Sequence, residues 1–458
     1  MGRSKGTSRA PRDSDVAAVD GRDRDPGTAR DLPSIRQRFL RGSTWLLAGA
    51  AAGRALSLVG AIVTTRVLLP RAFGELSYVQ AVISFAAGLA VLGLNLAVTK
   101  SVAATRTTDP ARAGYLIGLA LRITGVAGSI LAVAMVLFRQ EIARVMGGGQ
   151  LADELALGSV AIAAGSLTAV AVGSLNGMES FQMVALVTSI RSVLSSMLMV
   201  AGAIWMGLLG AVGGWAIGES LAAGCAVFVV TRQRRVLGLS SSSTRSRQGW
   251  SMLRIVGLPA FIANAAVALA LVIGQGLLAD QPGGFEEVAQ FNVAYRWSLA
   301  VLFVPASIAP ILLPLLTNLR AERAVSSFLR LLKANVALNV LLTALPAIAL
   351  IAMSGVVLRL SGPSYAAEPA TFVILMIATV PIALNSVMSQ AALSLDAVRA
   401  WLISDLALAG TLVGVAWLLV DVWGSSGLGL AYALGYVVTC VVLAFPLWNR
   451  LQKLRLGR

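Results

Sequence analysis

Apolar residues run through this chain in blocks of about 20, each closed by charge, proline or a glycine-rich break. A helix of that length crosses the hydrocarbon core of a bilayer, so each block predicts a membrane span. Six blocks fall near 43–65, 76–98, 113–138, 151–175, 183–206 and 208–230. Six more fall near 253–279, 290–316, 328–353, 369–394, 400–420 and 427–447. The pattern predicts an all-α polytopic membrane protein with about 12 transmembrane helices in two six-helix lobes.

The polar stretches punctuate that plan. Residues 1–42 interleave Gly, Pro, Ser, Arg and Asp without an apolar core, which predicts a disordered basic cytoplasmic tail and not a signal peptide. Segment 231–252 holds Arg232, Arg234, Arg235 and the run Ser240–Ser243, the composition of a flexible cytoplasmic linker. It separates an N-terminal lobe, 43–230, from a C-terminal lobe, 253–447, and residues 448–458 form a second basic cytoplasmic tail. Shifting the sequence by 217 superposes Gly210 on Gly427, Trp215 on Tyr432, Ala216 on Ala433 and Gly218 on Gly435. Six helices per half would make the halves parallel repeats about an axis along the membrane normal.

Charge fixes the expected orientation. The tail, segments 99–112, 231–254 and 317–333, Arg399 and the C-terminus hold 28 of the 37 Lys and Arg residues. The opposite loops hold only Arg66, Arg71, Arg139, Arg144 and Arg359, so both termini are expected in the cytoplasm. The formal charge of +16 then reports topology, and nucleic acid is not an expected partner. Composition agrees, with 57% hydrophobic and 13% charged residues against about 25% charged in soluble proteins. The absence of histidine removes Ser-His-Asp and Cys-His catalysis and histidine metal sites. Cys225 and Cys440 lie far apart within apolar runs, which excludes a disulfide framework or zinc site. No cofactor is expected. The predicted outer loops are too short for a catalytic domain, so the chain reads as a non-enzyme whose function lies between its helices.

Four arginines remain inside predicted spans, where a charge costs about 2.5–3.5 kcal/mol and needs a cavity, partner or ligand. Arg54 shares a helix face with Ala50, Ser57, Ala61 and Thr64, while Leu56, Val59, Ile62 and Val63 occupy the other. Arg122 lies in a stripe with Gly118, Gly125 and Ser129; Arg191 shares a face with Thr188 and Ser195, and Arg296 with Asn292. The embedded acids are Glu219 and Asp405, each one turn after a tryptophan. Four cations against two acids leave a positive surplus, suited to a phosphate-bearing ligand because guanidinium binds phosphate in a bidentate, charge-assisted way. Glu219 and Asp405 are structural partners of the arginines or carriers of H+ or Na+.

Segment 66–74, Arg-Val-Leu-Leu-Pro-Arg-Ala-Phe-Gly, is followed by Gly-Leu-Asn-Leu-Ala-Val-Thr-Lys at 93–100. Together they resemble the opening of bacterial oligosaccharide-lipid flippases, the Wzx-type polysaccharide biosynthesis proteins. Segments 174–181, 258–261, 290–296 and 361–365 are similar to later landmarks of that family in the same order. The family belongs to the multidrug/oligosaccharidyl-lipid/polysaccharide (MOP) exporter superfamily, whose MATE-like fold sets two six-helix lobes in a V around a central cavity. The resemblance implies that fold and a cationic cavity lined by Arg54 and Arg296. Arg54 stands 12 residues before Arg66, as a first-helix arginine does in the peptidoglycan-precursor branch. That branch has two helices more than this chain has room for, which disfavours its cargo here.

The implied function is transport of a polyprenyl-(pyro)phosphate-linked oligosaccharide across the bacterial cytoplasmic membrane. Arg54, Arg122 and Arg296 would hold the phosphates, Arg191, Ser57, Thr64 and Asn292 would complete the substrate-binding set, with the polar stripes accommodating the sugar, and Glu219 and Asp405 would carry the coupling ion. Two alternatives stand beside it. A cationic-drug antiporter on the same fold would want an acidic or aromatic cavity, and a non-transporting scaffold would use the basic segments to recruit polysaccharide assembly enzymes or membrane lipids.

Overall fold

The computed structural model describes Gly2 and residues 53–145, 149–239, 257–322 and 324–455. The remainder of the 1–42 tail and residues 240–252 of the linker lie outside the described residues. Gly42–Arg458 is one compact unit. Among the described residues every regular element is helical. In the first half α1 covers 53–67, followed by α2 Pro70–Val91, α3 Leu94–Thr105 and α4 Pro110–Leu137. Next come α5 Arg139–Val145, α6 Ala152–Gly158, α7 Val160–Gly177 and α8 Phe181–Val236. The second half has α9 Leu258–Ala279, α10 Gly284–Val301, α11 Phe303–Ala321 and α12 Val325–Ala352. It ends with α13 Ser354–Ser361, α14 Ala370–Ser394 and α15 Val398–Arg455.

Eight helices among the described residues are long and apolar enough to cross a membrane, and two of these are double. Within the 56 residues of α8 the backbone leaves helical geometry at Met206 and Gly207. Within the 58 of α15 it does so at Gly424. Each therefore comprises two rods joined without a loop, at the boundaries expected between the fifth and sixth and between the eleventh and twelfth spans. Three predicted spans are instead broken. The second divides into α2 and α3 because Leu92 and Gly93 both take positive φ, 51° and 69°. The fourth divides into α6 and α7 at Ser159, whose hydroxyl donates back to the Ala156 carbonyl at 2.7 Å. The eighth divides into α10 and α11 at Leu302, where the Pro305 ring opposes the Val301 carbonyl.

The hydrophobic pattern also misplaced some ends. α2 begins at Pro70, six residues before the expected start, because proline suits the first turn of a helix. α4 likewise opens on Pro110, and the Asp109 carboxylate caps it by accepting from the Arg112 amide at 3.0 Å. The tail expected from residue 448 is helical as far as Arg455, with no Gly or Pro between Pro446 and Arg455 to stop it and Arg450 donating to the Leu395 carbonyl.

Small residues set the close contacts. On α1, Gly53 and Gly60 pack against Ser189 and Ser196 of α8, the same interval of seven on both helices. Of the expected inner face Ala61 and Thr64 are buried, Ser57 is half-buried and Arg54 is exposed; of the opposite face Leu56, Val59 and Val63 are exposed and Ile62 is half-buried. Within α8 the two rods touch along Gly210, Gly214 and Gly218, which face Gly202, Leu198 and Ser195. Between halves, α2 lies on α10 so closely that a Cβ at Gly74 would sit 1.7 Å from the Phe285 carbonyl oxygen. The register of 217 reappears in the backbone: Gly207 has φ 60° and ψ −134°, and Gly424 has φ 50° and ψ −131°.

Candidate functional site

The four embedded arginines meet different fates. Arg191 pairs with Glu219, its Nε lying 3.0 Å from Oε1 and 2.8 Å from Oε2. Ser195 donates to the same carboxylate at 2.9 Å, and Glu219 is 3% exposed. The glycine seam of α8 produces this cluster by bringing the rods into backbone contact, so residues placed symmetrically about the kink face one another. Both groups that sequence reasoning left between structure and function are committed to each other in this conformation.

Arg296, on α10, is held without a carboxylate. Its Nη2 donates to Gln80 Oε1 of α2 at 3.0 Å, and its Cζ stands 5.5 Å from the centroid of the Phe73 ring. Its Nε is buried and has no hydrogen-bond partner. Phe73 and Gln80 are seven residues apart on α2 and so share one face, which Arg296 spans from the opposite half. Among the described residues no acid forms an ion pair with it. Arg54 is exposed on α1 and near enough for its charge to act on both Arg296 and Tyr295. The structure therefore brings together two like charges from different halves, 242 positions apart by their residue numbers.

The companion polar residues are less available. Thr64 is fully buried, and its hydroxyl donates to the Gly60 carbonyl of its own helix at 2.7 Å. Ser57 is half-buried on α1. Asn292 is buried one turn before Arg296 and donates to Gln275 Oε1 at 3.0 Å and to the Val288 carbonyl at 2.9 Å. It braces α10 against α9. Arg122 is exposed on α4 with no ion pair among the described residues, and a Cβ at Gly118, one turn earlier, would lie 3.5 Å from Arg234 Nη1. Asp405 is half-buried on α15, also without an ion pair among the described residues, and its charge reaches Tyr436.

Sequence reasoning missed Gln80, Phe73 and a tyrosine cluster. Tyr295 of α10 meets Tyr432 of α15 edge to face, with centroids 5.8 Å apart, and Tyr432 meets Tyr436 at 5.0 Å. Tyr432 and Tyr436 were legible as one turn apart on one helix; their meeting with Tyr295 depends on tertiary packing. This cluster backs the Arg296 segment of α10 with large, ordered rings. Chemically, the site is a half-buried guanidinium with an unused, buried donor, within electrostatic reach of a second cation, an arrangement that attracts an anion with several oxygens.

Solved structures with the same fold are transport proteins. A lipid II flippase MurJ in an inward closed conformation superposes with a TM-score of 0.70 at 12% identity, over 92% of this chain and 90% of that one. An inward-facing multidrug resistance MATE family transporter of the MOP superfamily gives 0.68 at 17% identity, over 90% and 95%. A MOP superfamily transporter from Pyrococcus furiosus gives 0.68 at 15% identity, over 92% and 96%. The chain thus has the MOP-type, MATE-like fold expected from its sequence. Over 302 residues it is 27% identical to the EPS I polysaccharide export inner membrane protein EpsE of Ralstonia nicotianae, covering 64% of this chain and 66% of that protein. This is just under two thirds of the relative's length. The model of the polysaccharide biosynthesis protein family matches residues 39–320, a stretch that begins before α1 and takes in Arg54, Arg191, Glu219 and Arg296. With more than half of its length matched, the chain belongs to the polysaccharide biosynthesis protein family.

Proposed function

We propose that this protein flips a polyprenyl-(pyro)phosphate-linked oligosaccharide from the cytoplasmic to the outer leaflet of a bacterial inner membrane, with both termini in the cytoplasm. The observation that carries this reading is Arg296, a half-buried cation whose Nε is itself buried and unpartnered, with no ion-pairing carboxylate among the described residues and the charge of Arg54 within reach. Burying a guanidinium without a counter-charge is costly, so a ligand that supplies negative charge offsets a strain already present. Phosphate oxygens would bridge Arg54 and Arg296 and draw the first and second halves together. Without the anion, repulsion between the two cations favours separation. Binding and alternating access are thereby coupled through one pair of residues.

The family supports polysaccharide assembly as the setting, and EpsE supports export and the inner membrane. Surplus positive charge opposes a cationic drug as cargo, although the MATE likeness is of comparable extent. Asp405 is the better candidate for H+ or Na+ coupling, because Glu219 already has a cation. The test is reconstitution with a labelled polyprenyl-pyrophosphate oligosaccharide. Replacing Arg54 and Arg296 together by Ala should abolish flipping while leaving the protein folded; unchanged flipping would sink the assignment. Asp405→Asn should remove the response to an imposed proton or sodium gradient more than it weakens substrate binding, and an unaltered response would make Asp405 structural.

A further inference from the structure

Gln80 occupies an unusual hydrogen-bonding position. Its Oε1 accepts from Arg296 Nη2 at 3.0 Å, which orients the amide so that its Nε2 meets the Met199 thioether sulfur at 3.4 Å. A thioether is among the weakest acceptors in a protein. The donor end of Gln80 is thus engaged with a poor partner, beside an arginine whose Nε is buried without any. Both vacant or underused donors belong to one cross-half contact, with Gln80 on α2 and Arg296 on α10. The backbone beneath is fixed, since Gly74 of α2 abuts Phe285 of α10 and Phe73 lies against the guanidinium.

We infer that Gln80 is a third ligand-binding residue of the site, its amide N–H turning from the Met199 sulfur to an oxygen of a phosphate or pyrophosphate held by Arg296. The exchange replaces a weak neutral contact by a charge-assisted one. It also lets a first-half residue other than Arg54 report occupancy to the second half. The inference rests on the anion-binding reading proposed above and adds a residue that no charge pattern would select.

The test uses the full-length protein in detergent, with inorganic pyrophosphate and farnesyl pyrophosphate as probes and affinity read by calorimetry. The parent should bind at least one probe, and tighter binding of farnesyl pyrophosphate would assign the site to a lipid headgroup, equal binding to the free anion chemistry. Gln80→Leu keeps the bulk and removes the amide, and should weaken binding about tenfold. Met199→Leu removes the competing acceptor without touching the ligand, and should tighten binding a few-fold. If Gln80 only props Arg296 in place, Met199→Leu will leave affinity unchanged or lower it, which overturns the inference. So would Gln80→Leu binding as the parent does; should that variant fold poorly, Gln80→Asn, which keeps the amide one methylene short, must weaken binding in its place. Absence of binding by the parent would remove the anion reading itself, whereas loss in Arg296→Ala with none in Gln80→Leu would retain that reading and reject this addition.

Discussion

Arg191 and Arg296 are both arginines within apolar helices, yet one has a carboxylate and the other an amide and a ring. Arg191 is 45% exposed at its side chain and meets a buried Glu219 through a bifurcated hydrogen bond from its Nε to both carboxylate oxygens. Arg296 is the more enclosed and the less satisfied. The contrast teaches that embedded charge alone does not mark a transport site: what matters is whether the protein supplies its own counter-ion. Where it does, the pair stabilises a hairpin; where it does not, a ligand can complete the balance.

The largest effect that would break this comparison concerns transport. Arg296→Ala should lower flipping by an order of magnitude or more, about the loss of one charge-assisted contact to phosphate, with unfolding little changed. Arg191→Ala should do the reverse, leaving Glu219 as a buried, uncompensated charge at a cost of about 3 kcal/mol in detergent unfolding. Adding Glu219→Gln to Arg191→Ala should restore most of that stability, and failure to restore it would show that the cluster is not held by charge.

A smaller difference separates the two hairpins. At Gly207 nothing lies near an added Cβ, whereas at Gly424 it would meet the Glu287 carboxylate at 2.7 Å, the same group that accepts from the Ser425 amide. Both positions have positive φ, so alanine strains either, but Gly424→Ala should cost about 1–2 kcal/mol more than Gly207→Ala in the same unfolding measurement. The smallest effect is that of Glu219→Gln alone, below about 1 kcal/mol, because the half-exposed Arg191 can regain solvent while Ser195 keeps a partner.

Much of the fold was readable because a membrane span needs a long apolar run and little else. The breaks at Leu92, Ser159 and Leu302 were not, since a short interruption barely alters hydropathy, although Gly93 and Pro305 were signals of chain geometry. Arg54 and Arg296 stood out as isolated charges. Gln80 did not, because an uncharged amide is unremarkable in sequence and its value comes from Arg296, 216 positions away. The Arg191–Glu219 pair was hidden differently. Their symmetry about residue 205 and the four-residue spacing of Gly210, Gly214 and Gly218 together describe an antiparallel contact, once the turn is known to have no loop.

That missing loop limits how the molecule can move. Two helices joined by a long connection can slide, tilt or rotate separately, but the rods of α8 share a turn at Met206 and Gly207 and touch backbone to backbone along the glycine seam. In α15 the turn at Gly424 is pinned by Glu287, and Gly427 lies against Leu419. Each pair consequently behaves as a single paddle with the degrees of freedom of one body, not two. Fewer independent bodies leave fewer intermediate arrangements to populate, so opening and closing would proceed through a small number of collective steps.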